Sequence, residues 1–302
     1  MTTSVLAETF ESHRSHLLSV GYRLTGSVTD AEDAVQESWF RLSSAETENI
    51  RDLRGWLTTV VGRICLDRLK SAAVRRESYI GQWLPEPIVS PIAAAHEPDP
   101  LEAVVQHEEN RLAALVVLDT LTPPQRVAFV LHDGFAVPFD EIGDILGVSV
   151  DSARKLASRA RKAVSELPEP VSDAEHEETV ERFLAAVASG DLKAVVAVLH
   201  PDAVLIGDAN GTTSTAINII KGPEKIARFF LGLVRKYGIE QLAAYVPALV
   251  NGQLGMVHPD LPATDDHRGF PQRVQGFTVR DGRIVGAYDI ANPEKLGGIR
   301  LS

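Results

Sequence analysis

Hydroxyls followed by cations, Ser149, Ser152, Arg154, Lys155, Ser158 and Arg159, then Arg161 and Lys162, hold the most specific chemistry in this sequence. At the start of a helix, hydroxyls and cations reach the donors and acceptors of base edges, and later cations clamp phosphate. A second set is acidic apart from one amide: Asp30, Glu32, Asp33 and Glu37, with Gln36 among them. Carboxylates gathered on one helix face suit a protein partner, and their plainer reading is a solvated surface. A third is basic: seven Arg and Lys between Arg51 and Arg76, at positions 51, 54, 63, 68, 70, 75 and 76, against only Asp52 and Asp67. Such a face suits a phosphate backbone. His200, Asp208, Tyr245, His258 and Asp289 are single polar residues near strand ends, whose plainer reading is structural. General-base chemistry would need one of them positioned against a substrate, and no paired arrangement forces that.

These residues depend on elements that the apolar spacing predicts. Ile142, Ile145 and Leu146 mark a short helix, and Gly147 sits where a helix ends in positive φ. Ser149 then caps a second helix with Asp151 in its first turn and Ala153, Leu156, Ala157, Ala160 and Val164 inside. Two short helices around a glycine turn read as a helix-turn-helix, with an ordinary αα-hairpin as the alternative. Thr29 or Asp30 is expected to cap the acidic helix, whose inner face is Ala34, Val35, Trp39, Phe40 and Leu42. A third helix is expected from Leu53 to Lys70, with Trp56, Leu57, Val60, Val61, Ile64, Leu66 and Leu69 inward.

The chain has 302 residues, enough for two or three domains, and a formal net charge of −11, so any DNA contact must come from local basic patches. No Lys or Arg occurs from Pro85 to Asn110 or from Ala163 to Glu181, so the acidity collects in linkers. The single cysteine, Cys65, excludes a disulfide framework and a zinc site and is expected in a core. No apolar run approaches membrane length and the first residues lack a signal peptide's pattern, so a cytoplasmic protein without membrane contact is expected. Prolines 85, 87, 91, 98 and 100 predict an extended tether. Trp83-Leu84-Pro85-Glu86-Pro87 is unlike a tether, because exposed Trp and Leu waste apolar surface, so docking is expected.

Beyond Pro168 and Pro170, Val180, Phe183, Leu184 and Val187 predict a helix ending at Gly190, and Leu192–Leu199 a second, left at His200-Pro201-Asp202. Ala203–Ile206 reads as a strand, and Pro223 opens a helix carrying Ile226, Phe229, Phe230 and Leu233. Leu242–Val250 pairs with Leu254–His258 across Asn251-Gly252, and Arg273–Arg280 with Arg283–Ile290 across Asp281-Gly282. Helices followed by a curved antiparallel sheet predict an α+β cone.

Three runs in order, YRLTGSVTDAEDAVQESWFRL, LRGWLTTVVGRICLDRLKS and LTPPQRVAFVLHDGFAVPFDEIGDILGVSVDSARKLASRARK, resemble bacterial sigma factors of the extracytoplasmic-function type. The WLPEP run resembles a linker signature of the group with a fused C-terminal domain. The last part resembles the SnoaL-like branch of the nuclear-transport-factor-2 superfamily, and Asn292-Pro293-Glu294-Lys295-Leu296 the group's NPDKL ending. The group's Gly-rich DGGGK loop is replaced by Asp208-Ala209-Asn210-Gly211-Thr212. The resemblance implies a multidomain chain: two all-α sigma domains, a region 2 helical bundle (1–76) and a region 4 helix-turn-helix (111–167), and a SnoaL-like α+β cone (177–302). Linkers 77–110 and 168–176 join them.

It further implies that Asp30, Glu32, Asp33, Gln36 and Glu37 grip the RNA polymerase core enzyme. Trp56, Arg63, Asp67, Arg68, Lys70 and Ser71 would lie on the minus-ten promoter element, where unpaired bases are captured. Ser149, Ser152, Arg154, Lys155, Ser158 and Arg159 would read the minus-thirty-five element. Trp83 to Pro87 and Asn292 to Leu296 would form a regulatory contact with the cone, making a separate anti-sigma protein unnecessary. The resemblance also implies a pocket inside the cone, with His200, Asp208, Tyr245, His258 and Asp289 as its candidate residues; the cone is expected to hold no cofactor and to leave room for an unidentified small ligand. A one-component ligand-responsive regulator and a SnoaL-class isomerase or cyclase are the alternatives. The first has no need of a polymerase-gripping face, and the second needs a catalytic residue where none is expected.

Overall fold

Residues 3–46, 50–76, 78–92, 104, 111–165, 169–263 and 268–299 are described by the computed structural model, in two units. One takes the residues up to 76 and those from 114 to 165. The other takes those from 169 to 299 together with 78–92 and 111–113. Expectations resting on Pro98 and Pro100 lie outside the described residues.

The first unit is helical: α1 (Thr3–Thr25), α2 (Val28–Ser43), α3 (Leu53–Arg76), α4 (Leu112–Asp119, its first two residues counted with the second unit), α5 (Pro123–Phe129), α6 (Phe139–Leu146) and α7 (Val150–Val164). A π-helical turn, Val130–Gly134, continues α5. Helix α2 begins earlier than either expected cap. Ser27 has extended backbone and its side chain accepts the Asp30 N–H at 3.2 Å, so Ser27 is the cap. Helix α3 runs to Arg76, beyond the expected Lys70. Gly147 ends α6 at φ 67°, where a side chain would be strained, and Ser149 caps α7 by accepting the Ser152 N–H. Ala153, Ala157 and Ala160 are fully buried in α7, whereas Leu156 and Val164 are only partly so. Cys65 is buried as expected, and burial pushes its thiol up to about 12, so it is an inert core group.

Within this unit the two helical halves pack together. A Cβ on Gly62 of α3 would meet Leu131 Cδ1 at 2.9 Å, so this glycine permits the close approach. The Thr59 hydroxyl of α3 donates to Glu141 Oε2 of α6 at 2.8 Å. Arg126, 2% exposed, donates to Asp119 at 3.1 Å and to the Arg23 carbonyl at 3.4 Å. An ion pair at that depth is stable only because both ends are hydrogen-bonded.

The second unit contains α8 (Asp173–Ser189), α9 (Leu192–Ala197), α10 (Pro223–Tyr237) and a short α11 (Ile239–Leu242) over one sheet. Its strands are β1 (Val89–Ser90), β2 (Leu199–Asp208), β3 (Ile220–Lys221), β4 (Val246–Val250), β5 (Gln253–His258), β6 (Arg273–Arg280) and β7 (Arg283–Ile290). Their spatial order is β1-β4-β5-β6-β7-β2-β3. Both hairpins form as the Asn-Gly and Asp-Gly pairs require, with Asn251 at φ 51° and Asp281 at φ 52°. Phe183 of α8 packs against Phe230 and Phe277, ring centroids 5.1 and 5.5 Å away, at the centre of the core.

Several expectations are corrected. The strand β2 starts at Leu199, so His200, Pro201 and Asp202 lie in it; a register shift between Leu199 and Val204 accommodates the proline. Residues 242–245 precede β4 rather than belong to it, because α11 occupies 239–242. The sheet is not purely antiparallel: β2 and β7 run parallel. Helix α8 begins at Asp173, capped by Ser172, inside the expected linker 168–176. The largest difference concerns 78–92. It is not a loose tether but supplies β1, whose Val89 and Ser90 pair with Val250 and Leu249 at the sheet edge. No helix among the described residues is long and apolar enough to cross a membrane.

Candidate functional site

These elements build the α2 face with a groove beside it, the polar faces of α3 and α7, a clasp on segment 78–92, and a cavity in the cone. On α2, Ala31, Ala34, Val35, Ser38 and Leu42 face inward, which turns Glu32, Asp33 and Gln36 to solvent and leaves Asp30 and Glu37 half-buried. Glu37 pairs with Arg41 at 2.6 Å. Beside this face lies a groove of about 390 Å³ between α1 and α2, lined by Phe10, Arg14, Glu32, Asp33, Gln36 and Trp39. Phe10 and Trp39 are in ring contact at 5.1 Å. Phe40, expected inside, is 61% exposed, because it falls outside the inward stripe.

On α3, Arg63, Asp67, Lys70 and Ser71 are exposed and Trp56 is half-buried. Arg68 instead turns to α2, donating from Nη1 to Asp30 at 2.8 Å and to Asp33 at 3.3 Å. The expected DNA-binding arginine therefore neutralises two expected polymerase-binding carboxylates, and these hydrogen bonds raise its already high pKa against the cost of burial. On α7, Arg154, Lys155, Ser158 and Arg159 are exposed, and Ser149 and Ser152 are tied up in the cap, their hydroxyls 2.9 Å apart. The Arg154 guanidinium lies 5.8 Å over the Phe139 ring, and Lys155 pairs with Asp151 at 2.8 Å. Arg161 binds Asp133 at 2.6 Å.

The clasp is built on segment 78–92. Asp208 is wholly buried and accepts three donors: Tyr79 Oη at 2.5 Å, the Leu84 N–H at 2.7 Å and Lys295 Nζ at 2.6 Å. Lys295 also donates to the Leu84 carbonyl and sits 4.1 Å over the Trp83 ring. Asn292 donates to Tyr79 Oη at 2.9 Å, and its side-chain oxygen caps the Glu294 N–H at 3.1 Å. Leu84, Pro85, Pro87 and Leu296 are buried, Glu86 is half-buried, and Pro293 and Glu294 are exposed. Burial and the Asp208 carboxylate hold the Tyr79 phenol well above its ordinary range, so it remains a donor. Tyr79 was absent from the sequence-based candidates; nothing in its spacing marks it, since its partner is far along the chain.

The five pocket candidates do not converge. Strand alternation explains why: Asp289 registers with Gln275 and Gly207 on the inner face, so the next residue, Asp208, points to the opposite face. Asp289 is held by Arg273 at 3.1 Å, Gln275 at 3.1 Å and Thr215 at 2.5 Å. His200 lies elsewhere, 3.8 and 3.9 Å from Asp202 and Asp281. Only Tyr245 and His258 line the cavity of about 380 Å³ between α8, α10 and the sheet. Among the described residues no cluster of three or more His, Cys, Asp or Glu has the arrangement of a metal site.

Burial depresses the His258 imidazole to about 4, with Arg273 adding to the shift and Asp289 and Gln275 opposing it. The unfolded chain then binds a proton that the folded one does not between pH 6.5 and 4, so stability is full above pH 6.5 and falls on acidification. The expected loss is about 3 kcal/mol for this group. Thermal unfolding of the parent and of His258→Phe across pH 7 to 4 checks it: the variant's melting temperature should fall less steeply.

Two helical halves in one unit, the second containing a helix-turn-helix, and a mixed-sheet cone with its own core are the parts of a sigma-type transcription protein carrying a SnoaL-like domain. Family models agree: sigma-70 region 2 matches residues 9–75, sigma-70 region 4 matches 111–164, and the SnoaL-like domain matches 180–287. The chain is 54% identical over 295 residues to the extracytoplasmic-function RNA polymerase sigma factor SigJ of Mycobacterium tuberculosis, covering 97% of this chain and 93% of that one. The crystal structure of that SigJ superposes with a TM-score of 0.84 at 51% identity, covering 98% of this chain and all of the other. A probable sigma factor of the same organism, SigI, is 37% identical over 196 residues, 64% of this chain and 66% of its own length. The chain belongs to the extracytoplasmic-function RNA polymerase sigma factors.

Proposed function

We propose that this sigma factor binds core RNA polymerase through the acidic face of α2, promoter DNA through α3 and α7, and is regulated by its own cone. The observation that carries the reading is the acidic α2 face beside the exposed residues of α3 and the polar face of α7, all on one helical unit. Such a protein acts in the cytoplasm, where polymerase and promoters are. Its clasp on 78–92 gives the cone a means of control without a separate anti-sigma protein. We assign the cone no catalytic step, because Asp208 and Asp289 are each neutralised by a cation, the part-buried Lys295 and the buried Arg273. In vitro transcription with core enzyme, comparing the full chain with residues 1–167, tests the reading. Promoter-specific transcripts are expected from both, at different levels.

The packed helical unit is a closed state in this reading. Minus-ten and minus-thirty-five elements lie about 25 base pairs apart, or roughly 85 Å at about 3.4 Å per pair. Helix α3 touches α6, and α6 neighbours α7, which separates the two DNA-reading helices by about two helix packing distances, ~20 Å. Occupying both elements therefore requires α3 and α6 to part. Thr59→Glu places like charge against Glu141 and should favour opening by about 0.5–1 kcal/mol, a two- to fivefold rise in transcription at limiting sigma factor. Thr59→Arg should lower it. Transcription assays in which both variants match the parent would remove the closed-state argument.

For α7, Arg154→Ala is expected to change which minus-thirty-five sequences are used, since a bidentate arginine–guanine pair is worth roughly 1–3 kcal/mol of discrimination. Arg161 is held by Asp133, so Arg161→Ala should weaken all promoters alike and modestly. A promoter-library profile unchanged by Arg154→Ala would count against the assignment.

A further inference from the structure

Phe139 opens α6 with its side chain half-buried, and two groups lie against its ring. The His132 imidazole stacks on it, centroids 3.8 Å apart and planes inclined by 26°. The Arg154 guanidinium of α7 lies over it, 5.8 Å from its centre.

The approach to Phe139 is tightly specified. His132 belongs to the π-helical turn, and its Nδ1–H donates to the Val137 carbonyl at 3.0 Å. The Ala136 N–H donates to the His132 carbonyl at 3.0 Å, and the Val137 N–H to the Leu131 carbonyl at 2.9 Å. Ala136 is held in left-handed backbone, φ 55°, which a residue with a side chain adopts at a cost. Irregular helix and strained backbone are features that folds keep where a side chain must be aimed. Here they lead through the extended Pro138 into α6, with the Phe139 ring laid on the imidazole. The partner helix is fixed as firmly. A Cβ on Gly143 would meet the Val148 carbonyl at 2.8 Å, and the Val148 N–H donates to the Gly143 carbonyl at 2.9 Å. Helix α7 therefore leaves α6 at a set angle, which carries Arg154 over the ring.

Lys155 and Arg161 on the same helix are held by carboxylates, Asp151 and Asp133. Arg154 makes no ion pair among the described residues and has the ring instead. A carboxylate occupies the N–H donors that it binds and must be displaced before they reach a base. A ring face occupies none of them, so the guanidinium is steadied while its fork stays free for acceptors such as O6 and N7 of a guanine.

We propose that Phe139 is a positioning residue for minus-thirty-five recognition, holding the Arg154 guanidinium in place for a base edge, with His132 holding Phe139. This rests on the reading of α7 as the helix that meets that element, and it adds residues outside α7 that set its specificity.

The test profiles holoenzymes on a promoter library randomised across the minus-thirty-five element. Core RNA polymerase is combined with the full-length parent, Arg154→Ala, Phe139→Leu and the double variant. Arg154→Ala should flatten the preference at particular positions. Phe139→Leu keeps apolar volume but removes the ring. It should weaken preference at those same positions about two- to fivefold, the worth of an exposed cation–π contact, and leave the others unchanged. In the Arg154→Ala background it should add nothing. His132→Ala should act at the same positions more weakly, and Phe139→Tyr should keep the parent profile. In the free chain the Arg154 Nε–H proton resonance, shielded over the ring, should move in Phe139→Leu and stay in Phe139→Tyr, a readout independent of DNA. A parent-like profile from Arg154→Ala would remove the α7 reading and this proposal with it. A changed profile there leaves the reading standing, and three results would then overturn the positioning role alone. They are an unchanged or uniformly weakened profile in Phe139→Leu, an undiminished effect of Phe139→Leu beside Arg154→Ala, and an unmoved Arg154 resonance. A parent-like His132→Ala would overturn the part given to His132.

Discussion

Asp33→Arg combined with Glu37→Arg should abolish capture of core RNA polymerase, a loss of at least ~100-fold, or roughly 3 kcal/mol. Both side chains are on the outer face of α2, about half exposed, and their ion pairs with Arg68 and Arg41 are of the solvent-screened kind that contributes little to stability. Arg68 keeps Asp30 after the change. The fold should therefore survive, with helicity retained and a melting temperature lowered by only a few degrees, while the partner meets repulsion where it met attraction. Pull-down at moderate salt, with circular dichroism alongside, reads both. Undiminished capture by a folded double variant would reduce the α2 face to a solvated surface. The Arg68 bridge adds a refinement: Arg68→Met frees Asp33 and should strengthen polymerase binding slightly while weakening promoter opening.

Asp208→Ala should have the largest effect on the cone. The change strands a Lys295 ammonium whose side chain is 11% exposed, and it removes acceptors from the Leu84 N–H and the Tyr79 hydroxyl. Breaking one end of a buried pair costs about 3–5 kcal/mol, and the loss should appear as release of segment 78–92. Limited proteolysis should then cut between 78 and 92, and promoter-dependent transcription should change in level. Trp83→Ala should do the same more weakly, because it removes one ring under Lys295 and leaves the carboxylate in place. An Asp208→Ala chain with the parent's cleavage pattern and transcription would show the clasp to be packing without consequence.

Much of this molecule was legible along the chain. The helix-turn-helix follows from Ile142, Ile145, Gly147 and Ser149 because helix periodicity, a positive-φ terminus and an N-cap are local properties. Asn251-Gly252 and Asp281-Gly282 located both hairpins for the same reason: the turn's dihedrals belong to the two residues themselves. The alternation of charge between α2 and α3 was also readable, as was the docking of Trp83 and Leu84, since apolar side chains between prolines have no local partner.

What tertiary structure alone decided depends on contacts between residues far apart in sequence. Arg68 is cationic on any reading, but only the packing of α3 on α2 turns it to Asp30 and Asp33. Asp208 and Asp289 look like equivalent strand-end carboxylates. Register between β2 and β7 sends one to the clasp and the other into the cone, because neighbouring strand positions face opposite sides. Tyr79 and Gly62 carry no signal at all until Asn292 and Leu131 arrive beside them. Sequence determines the elements and their chemical faces, since propensity and periodicity act over a few residues. Which faces meet is decided by burial and register over the whole chain, and the clasp arises there.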